Sequence, residues 1–217
     1  MQDLESHFMA KYHVSEEITN GILEFFKEYS QYSGRGLTAG STTRGKDSTD
    51  ISIDVHRGLP YNYPRTSKYP DPPDPRVLAY QMEIGKISSS YKRHFVSRGC
   101  GFKFNLAPTW NIQQYQPGEG FTEWHSERVN CESSPTNDQF TTIRRCLVFM
   151  TYFCDIEEGG GTEFLNQNMT LQCNKGDTYI WPSDWTHTHR GVVAPNDVKT
   201  IATGWFTLIT SPNESFL

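Results

Sequence analysis

The chain has 217 residues, the size of one domain, with 20 Lys+Arg against 25 Asp+Glu, a net charge of −5 and a pI near 5.8. That acidic balance excludes a nucleic-acid binder working by phosphate neutralisation, and no apolar run approaches the roughly 20 residues of a membrane span. Hydrophobic residues reach only 35%, but aromatics at 13% supply core volume, so the composition is that of a folded, soluble protein. The opening MQDLESHFMA has no basic segment followed by an apolar stretch and reads as no secretory signal. The five cysteines (Cys100, Cys131, Cys146, Cys154 and Cys173) are odd in number and without close pairs. They read as reduced thiols of a cytoplasmic protein, not as a disulfide framework or a zinc ribbon.

Ser15 caps a helix over about 15–30, with Glu16 and Glu17 in its first turn and Ile18, Ile22, Leu23, Phe25, Phe26 and Tyr29 at helical spacing. Residues 31–50 are rich in Gly, Ser and Thr and read as a loop; DISIDV (50–55) alternates as a strand does. The stretch 58–75 holds half of the 12 prolines and three tyrosines, which excludes a helix or a central strand. It reads as a surface loop or as an aromatic lid, ending at Asp74 and Pro75, the cap and first turn of a second helix over about 75–96. From Gly101 the pattern becomes short strands and tight turns: FKFNL, WNIQQYQ, WHSE, a long polar loop (129–140), RCLVFMTYFC, TEFL, TLQC, DTYIW, HTHRGVV and KTIATGWFTL. Roughly eight strands at this spacing predict a sandwich or barrel rather than a parallel sheet. The expected fold is mainly β with α: a jelly-roll core (101–210), or double-stranded β-helix, flanked by N-terminal helices and loops (1–100), all in a single domain. No helix is expected after Gly159, Gly160 and Gly161, so those glycines read as a turn and not as an anion loop.

His125-Ser126-Glu127 would place an imidazole and a carboxylate on one face of a strand, because positions i and i+2 point the same way. His187 and His189 would share a face in the same manner. Two histidines and one carboxylate on a barrel face suit non-haem Fe(II), and a zinc site uses the same ligands. Lys199 lies ten residues after His189 in a segment whose alternation (Ile201, Thr203, Trp205) fits a strand. Buried in a barrel, its ammonium needs an anionic partner, which a dicarboxylate would supply.

Residues 115–206 resemble the Fe(II)/2-oxoglutarate-dependent dioxygenases, in the prolyl 4-hydroxylase-like branch. The resemblance rests on Tyr115 ten residues before His125-Ser126-Glu127, and on Arg144-Arg145 leading the strand to Tyr152. It continues through Glu157-Glu158-Gly159-Gly160-Gly161-Thr162-Glu163-Phe164, the Asn174-Lys175-Gly176 turn before an apolar strand, and the spacing of His189, Lys199 and Trp205. That spacing selects His189 over His187, which lies twelve residues from the lysine. The chain departs from the branch at Glu127, where aspartate is usual.

The resemblance implies an enzyme that converts 2-oxoglutarate and O2 to succinate and CO2 while hydroxylating an unactivated C–H bond. The expected substrate is a prolyl residue of a peptide or protein. It implies Fe(II) on His125, Glu127 and His189, with ascorbate as a possible further reductant. Lys199 is expected on the distal carboxylate of 2-oxoglutarate, with Tyr115 and Tyr152 as further donors and Thr203 and Thr151 as weaker ones. Trp205 reads as a pocket wall, and Arg190 and Trp124 as shapers of the mouth or plain strand exterior. The segments 57–75 and 128–140 are the candidate substrate covers. Rival readings are hydroxylation of a free amino acid or other small molecule, a non-catalytic binding barrel and a zinc hydrolase, which would have no use for Lys199 as an anion clamp.

Overall fold

Helix α1 (Glu16–Glu28) starts where Ser15 leaves extended backbone and its hydroxyl accepts from the Ile18 N–H at 3.4 Å, which satisfies one of the orphan donors of a helix start. Its face of Ile22, Phe25 and Phe26 is buried, each side chain contributing roughly 1.5–3 kcal/mol. Helix α2 (Pro75–Tyr91) starts at Asp74, whose carboxylate accepts from the Arg76 N–H at 2.9 Å, with Pro75 at the first helical position. Arg76 bonds Asp74 at 2.6 Å and Glu28 at 2.8 Å and so ties the two helices together. A π-helical turn (Lys92–Val96) follows α2, so the helix expected over 75–96 changes winding near its end. The computed structural model describes residues 3–38, 45–65, 71–96, 103–128 and 142–209. The polar loop 129–140, Cys100, Cys131 and residues 66–70 of the proline-rich stretch lie outside them.

The architecture is mainly β with these two α-helices, in keeping with a jelly-roll-type fold. The larger sheet joins β1 (Ala10–His13), β2 (Gly34–Arg35), β3 (Thr49–Asp54), β4 (Leu59–Pro60), β5 (Phe104–Tyr115), β6 (Arg145–Tyr152), β9 (Asp177–Pro182) and β11 (Lys199–Leu208). Its order is β1-β9-β6-β11-β5-β3-β2, with β4 on β3. A smaller sheet holds β7 (Thr162–Phe164), β8 (Met169–Leu171) and β10 (His189–Gly191) in the order β10-β7-β8. Among the described residues the first hundred supply four strands as well as two helices; β3 is the strand expected at DISIDV, whereas β1, β2 and β4 fall where helix and loop were expected. Phe104–Leu106 of the first expected strand and Trp110–Tyr115 of the second belong to one strand, β5, and Ala10–His13 pairs with β9.

Strand alternation divides the core in two. One face of the larger sheet carries Ile51, Ile53, Trp110, Ile112, Leu147, Phe149 and Ala202 against the helices. The opposite face of β6 and β9, with Val148, Met150, Tyr152 and Trp181, packs on Phe164 and Leu171 of the smaller sheet. A buried hydrogen-bonded chain crosses from α2 into the sheet: the Tyr80 hydroxyl donates to Thr151 at 2.8 Å, and Thr151 shares a proton with Thr178 at 2.8 Å. The expected turn at 159–161 is present. Gly159 and Gly160 have φ of 75° and 68°, and a Cβ on Gly159 would collide with the Val193 carbonyl oxygen.

Candidate active site

His125 and His189 face each other through a two-bond bridge: each backbone N–H donates to the other's carbonyl, at 3.0 and 2.9 Å. Only His189 lies in a strand. The WHSE segment is not one, so His125 and Glu127 do not converge by strand alternation; the bridge to His189 and a bond from Glu127 N–H to the Ser183 carbonyl (3.1 Å) place them instead. The Nδ1 atom of His125 lies 2.8 Å from the Glu123 carbonyl, and Nδ1 of His189 lies 2.9 Å from the His187 carbonyl. A carbonyl only accepts, so each Nδ1 carries the proton and each Nε2 presents a lone pair. Those two Nε2 atoms are 3.8 and 3.7 Å from Glu127 Oε1. One donor atom from each residue lies within 4.8 Å of the others, a spacing and a donor set that fit one divalent ion such as Fe(II).

The surroundings hold all three side chains. Phe121 stacks on His125 at 3.9 Å between ring centres, and Phe164 stacks on His189 at 5.3 Å with Trp181 edge-on. The Trp205 indole N–H donates to Glu127 Oε2 at 2.9 Å, and an Arg145 guanidinium N–H reaches the same oxygen at 3.4 Å. Arg145 lies 3.5 Å over the Trp205 ring. Burial pushes the Glu127 carboxyl up, but protonated His189 and His125 together with Arg145 pull it far below the usual carboxylate range; with the imidazoles neutral, Arg145 and the Trp205 N–H remain as its donors. Burial, with His189 second, brings His125 down to about 4, so its imidazole is neutral near neutral pH.

The cluster opens into a cavity of ≈ 660 Å³ that also contains Lys199, Tyr115, Thr203 and Trp205. Lys199 is 5% exposed; its ammonium donates to the Gly161 carbonyl at 3.3 Å and stands 5.6 Å from the ring centres of both Tyr115 and Tyr152. No carboxylate pairs with it among the described residues, and burial brings it down to about 8. A buried cation with one carbonyl contact, facing a cavity, is suited to capture an anion. The Tyr115 hydroxyl donates to Gln113 at 2.9 Å, and Gln113 in turn donates to Asp50 at 3.2 Å. Asp50 also accepts from Lys46 at 2.7 Å and Ser48 at 2.8 Å.

Other expected residues sit elsewhere. Tyr152 is fully buried behind Lys199, its hydroxyl 2.7 Å from Thr162, and it does not line the cavity. Thr151 points to the helix side and bonds Tyr80. His187 belongs to a 3-10 turn (Trp185–His187), not to a strand; its Nε2 is 2.8 Å from the His7 carbonyl and its Nδ1 2.9 Å from Thr186. Arg190 bonds Glu163 at 2.8 Å and lies over Trp124. Sequence reading missed the Asp50–Lys46 pair, Gln113 and the support that Arg145 gives Glu127. The signal present was the polar alternation Asp50/Ser52 and Thr109/Asn111/Gln113, which lines this cavity.

Residues 110–207 match the sequence model of the 2OG-Fe(II) oxygenase superfamily. No curated protein matches the chain significantly. Among solved structures, the viral collagen prolyl hydroxylase of Paramecium Bursaria Chlorella virus-1, in complex with 2OG, superposes with a TM-score of 0.61 at 16% identity, over 96% of this chain and 99% of that one. A Pseudomonas putida prolyl-4-hydroxylase gives 0.60 at 13% identity, over 94% and 95%. A Trichoplax adhaerens prolyl hydroxylase, in complex with a hypoxia inducible factor oxygen degradation domain peptide fragment, gives 0.63 at 13% identity, over 94% and 85%. At such identities the likeness speaks for the fold alone. The match to the superfamily model spans a little under half of the chain, and it takes in His125, Glu127, His189 and Lys199. The fold is shared with these prolyl hydroxylases, and the donor set of the cluster fits Fe(II).

Proposed function

We propose that this protein is a 2-oxoglutarate-dependent hydroxylase acting on a prolyl residue of a peptide or protein. The observation that carries the proposal is the meeting of two Nε2 lone pairs and one carboxylate in a cavity that also holds a buried lysine without a carboxylate partner among the described residues. His125, Glu127 and His189 are the iron ligands in this reading. Bound iron would supply the oxidative chemistry, in which 2-oxoglutarate and O2 become succinate and CO2 and a substrate C–H bond becomes C–OH. The protein's part is positioning and charge. Lys199 binds the distal carboxylate of 2-oxoglutarate. Tyr115, whose hydroxyl donates to Gln113, can turn that O–H to the same carboxylate, while Tyr152 buttresses the lysine from behind. Trp205 and Arg145 fix the free oxygen of Glu127, which lets the longer glutamate stand where the branch usually has aspartate. The choice of a prolyl substrate is supported by the fold-level likeness to prolyl hydroxylases, one of them with a peptide bound.

An anaerobic titration with Fe(II) and 2-oxoglutarate tests the site through the weak visible charge-transfer band of the chelate. The band is expected in the wild type, lost in His189→Ala, and shifted to much higher 2-oxoglutarate in Lys199→Ala. Admission of O2, with and without ascorbate, should then give succinate whose yield rises with proline-containing peptides. Absence of the band, or its indifference to His189→Ala, refutes the iron assignment and leaves a zinc or binding barrel. A rise in succinate with free amino acids but not with peptides refutes the substrate class.

A further inference from the structure

Cys154 and Cys173 stand 19 residues apart in the sequence, which hid them as a pair, yet their sulfurs are 3.6 Å apart. Both leave strands at the Lys199 end of the cavity: Cys154 follows β6, and Cys173 follows β8. The two segments are joined by a bond from Ile156 N–H to the Cys173 carbonyl at 3.0 Å, and the Cys173 thiol donates to the Cys154 carbonyl at 3.4 Å. Cys154 is half-buried and open to a small oxidant, whereas Cys173 is buried. The Thr200 N–H, next in the chain to Lys199, donates to the Cys154 sulfur at 3.4 Å. The hydroxylation chemistry proposed above uses neither thiol.

We propose that Cys154 and Cys173 form a peroxide-reactive dithiol site whose disulfide weakens binding at Lys199. A disulfide needs ~2.05 Å between sulfurs, so an approach of roughly 1.5 Å closes it. The bond from Cys173, the Thr200 N–H and the charge of Lys199 hold Cys154 below the usual thiol range, against its burial, so it is the attacking sulfur. Its hydrogen bond with Cys154, and then burial, push Cys173 upward, which suits the resolving thiol. The Cys154 thiolate attacks one oxygen of hydrogen peroxide and breaks the O–O bond; hydroxide leaves and takes a proton, giving water and a sulfenic acid. Cys173, losing its proton, attacks that sulfur; the S–S bond forms, the S–O bond breaks and a second water leaves. Two thiols lose two electrons, and peroxide gains them. The cross-link moves the sulfur that the Thr200 N–H bonds, and so displaces the start of β11 where Lys199 sits. This last step rests on the co-substrate role proposed for Lys199; the dithiol chemistry does not.

The test treats the reduced full-length protein with stoichiometric hydrogen peroxide, blocks free thiols with N-ethylmaleimide and maps peptides without reduction. A Cys154–Cys173 cross-linked peptide pair, 2 Da lighter than the reduced pair and released by dithiothreitol, is expected, and Cys173→Ser should instead leave Cys154 as a trapped sulfenic acid. Both thiols recovered as maleimide adducts, or Cys154 over-oxidised beside an alkylated Cys173, would overturn the site. The oxidised wild type should bind 2-oxoglutarate about fivefold more weakly, the low end of ordinary coupling between sites, with recovery on reduction. An unchanged affinity in the cross-linked protein overturns the coupling. A reduced protein that binds no 2-oxoglutarate counts against the proposed function, not against the mapped disulfide.

Discussion

Replacing Lys199 with methionine should make the protein more stable and at the same time unable to hold its co-substrate. The side chains are of similar length, so the change removes a charge from a site that is 5% exposed and leaves the packing between Tyr115 and Tyr152 nearly filled. Burial lowers the ammonium from 10.5 to about 8, which corresponds to roughly 3 kcal/mol spent on keeping it charged. Loss of the bond to the Gly161 carbonyl returns about 1 kcal/mol of that, leaving a net gain of about 2 kcal/mol. For a chain of this size the gain reads as a rise of roughly 4–8 °C in Tm without ligand. The pH dependence follows from the sign of the shift. Below about 8 the lysine is protonated in both states and its cost is fully present. Between about 8 and 10.5 the unfolded chain binds the proton that the folded chain has lost, so wild-type stability rises with pH and the advantage of Lys199→Met disappears. Affinity for 2-oxoglutarate, read by calorimetry at neutral pH with metal present, should fall about 30-fold or more. A variant less stable than the wild type, a gap that widens above pH 8, or an unchanged affinity would refute the reasoning.

Trp205→Phe removes the donor to Glu127 Oε2 and keeps the ring under Arg145; anaerobic titration should show metal affinity lowered about 10–100-fold with little change in melting. His187→Gln should leave metal binding intact and cost about 1 kcal/mol in urea unfolding, through its bond to the His7 carbonyl, whereas His189→Gln should abolish binding; the reverse pattern would exchange the two assignments. Tyr80→Phe breaks the buried chain to Thr151 and Thr178 and should cost about 1 kcal/mol in urea unfolding, with the kinetics of 2-oxoglutarate turnover unmoved.

What could be read from the sequence was what repeats locally. The caps at Ser15 and Asp74 act on N–H groups two or three residues away, and the alternation of β6 and β11 sorts each strand into an apolar and a site-facing side. Ala10–His13 does alternate, in sequence and in burial, but four residues at a sheet edge are the shortest run that reads as a strand. His125 and Glu127 were found together, though for a geometric reason that does not hold: the i, i+2 rule of strands has no strand to act on here, and the bridge to His189 does its work. Contacts across long separations left no mark on spacing. The Gln113–Asp50 bond spans 63 residues and the Trp205–Glu127 bond 78; the pairing of β3 with β5 brings the first pair together, and the bond from Glu127 N–H to Ser183 helps bring the second.

The pairing of β3, β5 and β11 also explains how one sheet carries both the stability of the fold and the candidate chemistry. Along β11, Ala202 and Phe206 face the helix-side core while Ile201, Thr203 and Trp205 face the cavity; β5 repeats the division with Trp110 and Ile112 against Asn111 and Gln113. A one-residue slip of register would exchange the two sets and bury the polar groups under the helices. The fully buried Trp110 and Phe206, packed against Tyr80 and Phe149, therefore guard the site without touching it: they hold the register that aims Lys199, Gln113 and Trp205 inward. The polar face is where stability is given up. Lys199 lacks a carboxylate partner among the described residues, and Glu127 keeps its charge under burial only through the ring of donors around it. Substitutions at the helix-facing positions should thus cost stability first, and those at the cavity-facing positions should cost binding first.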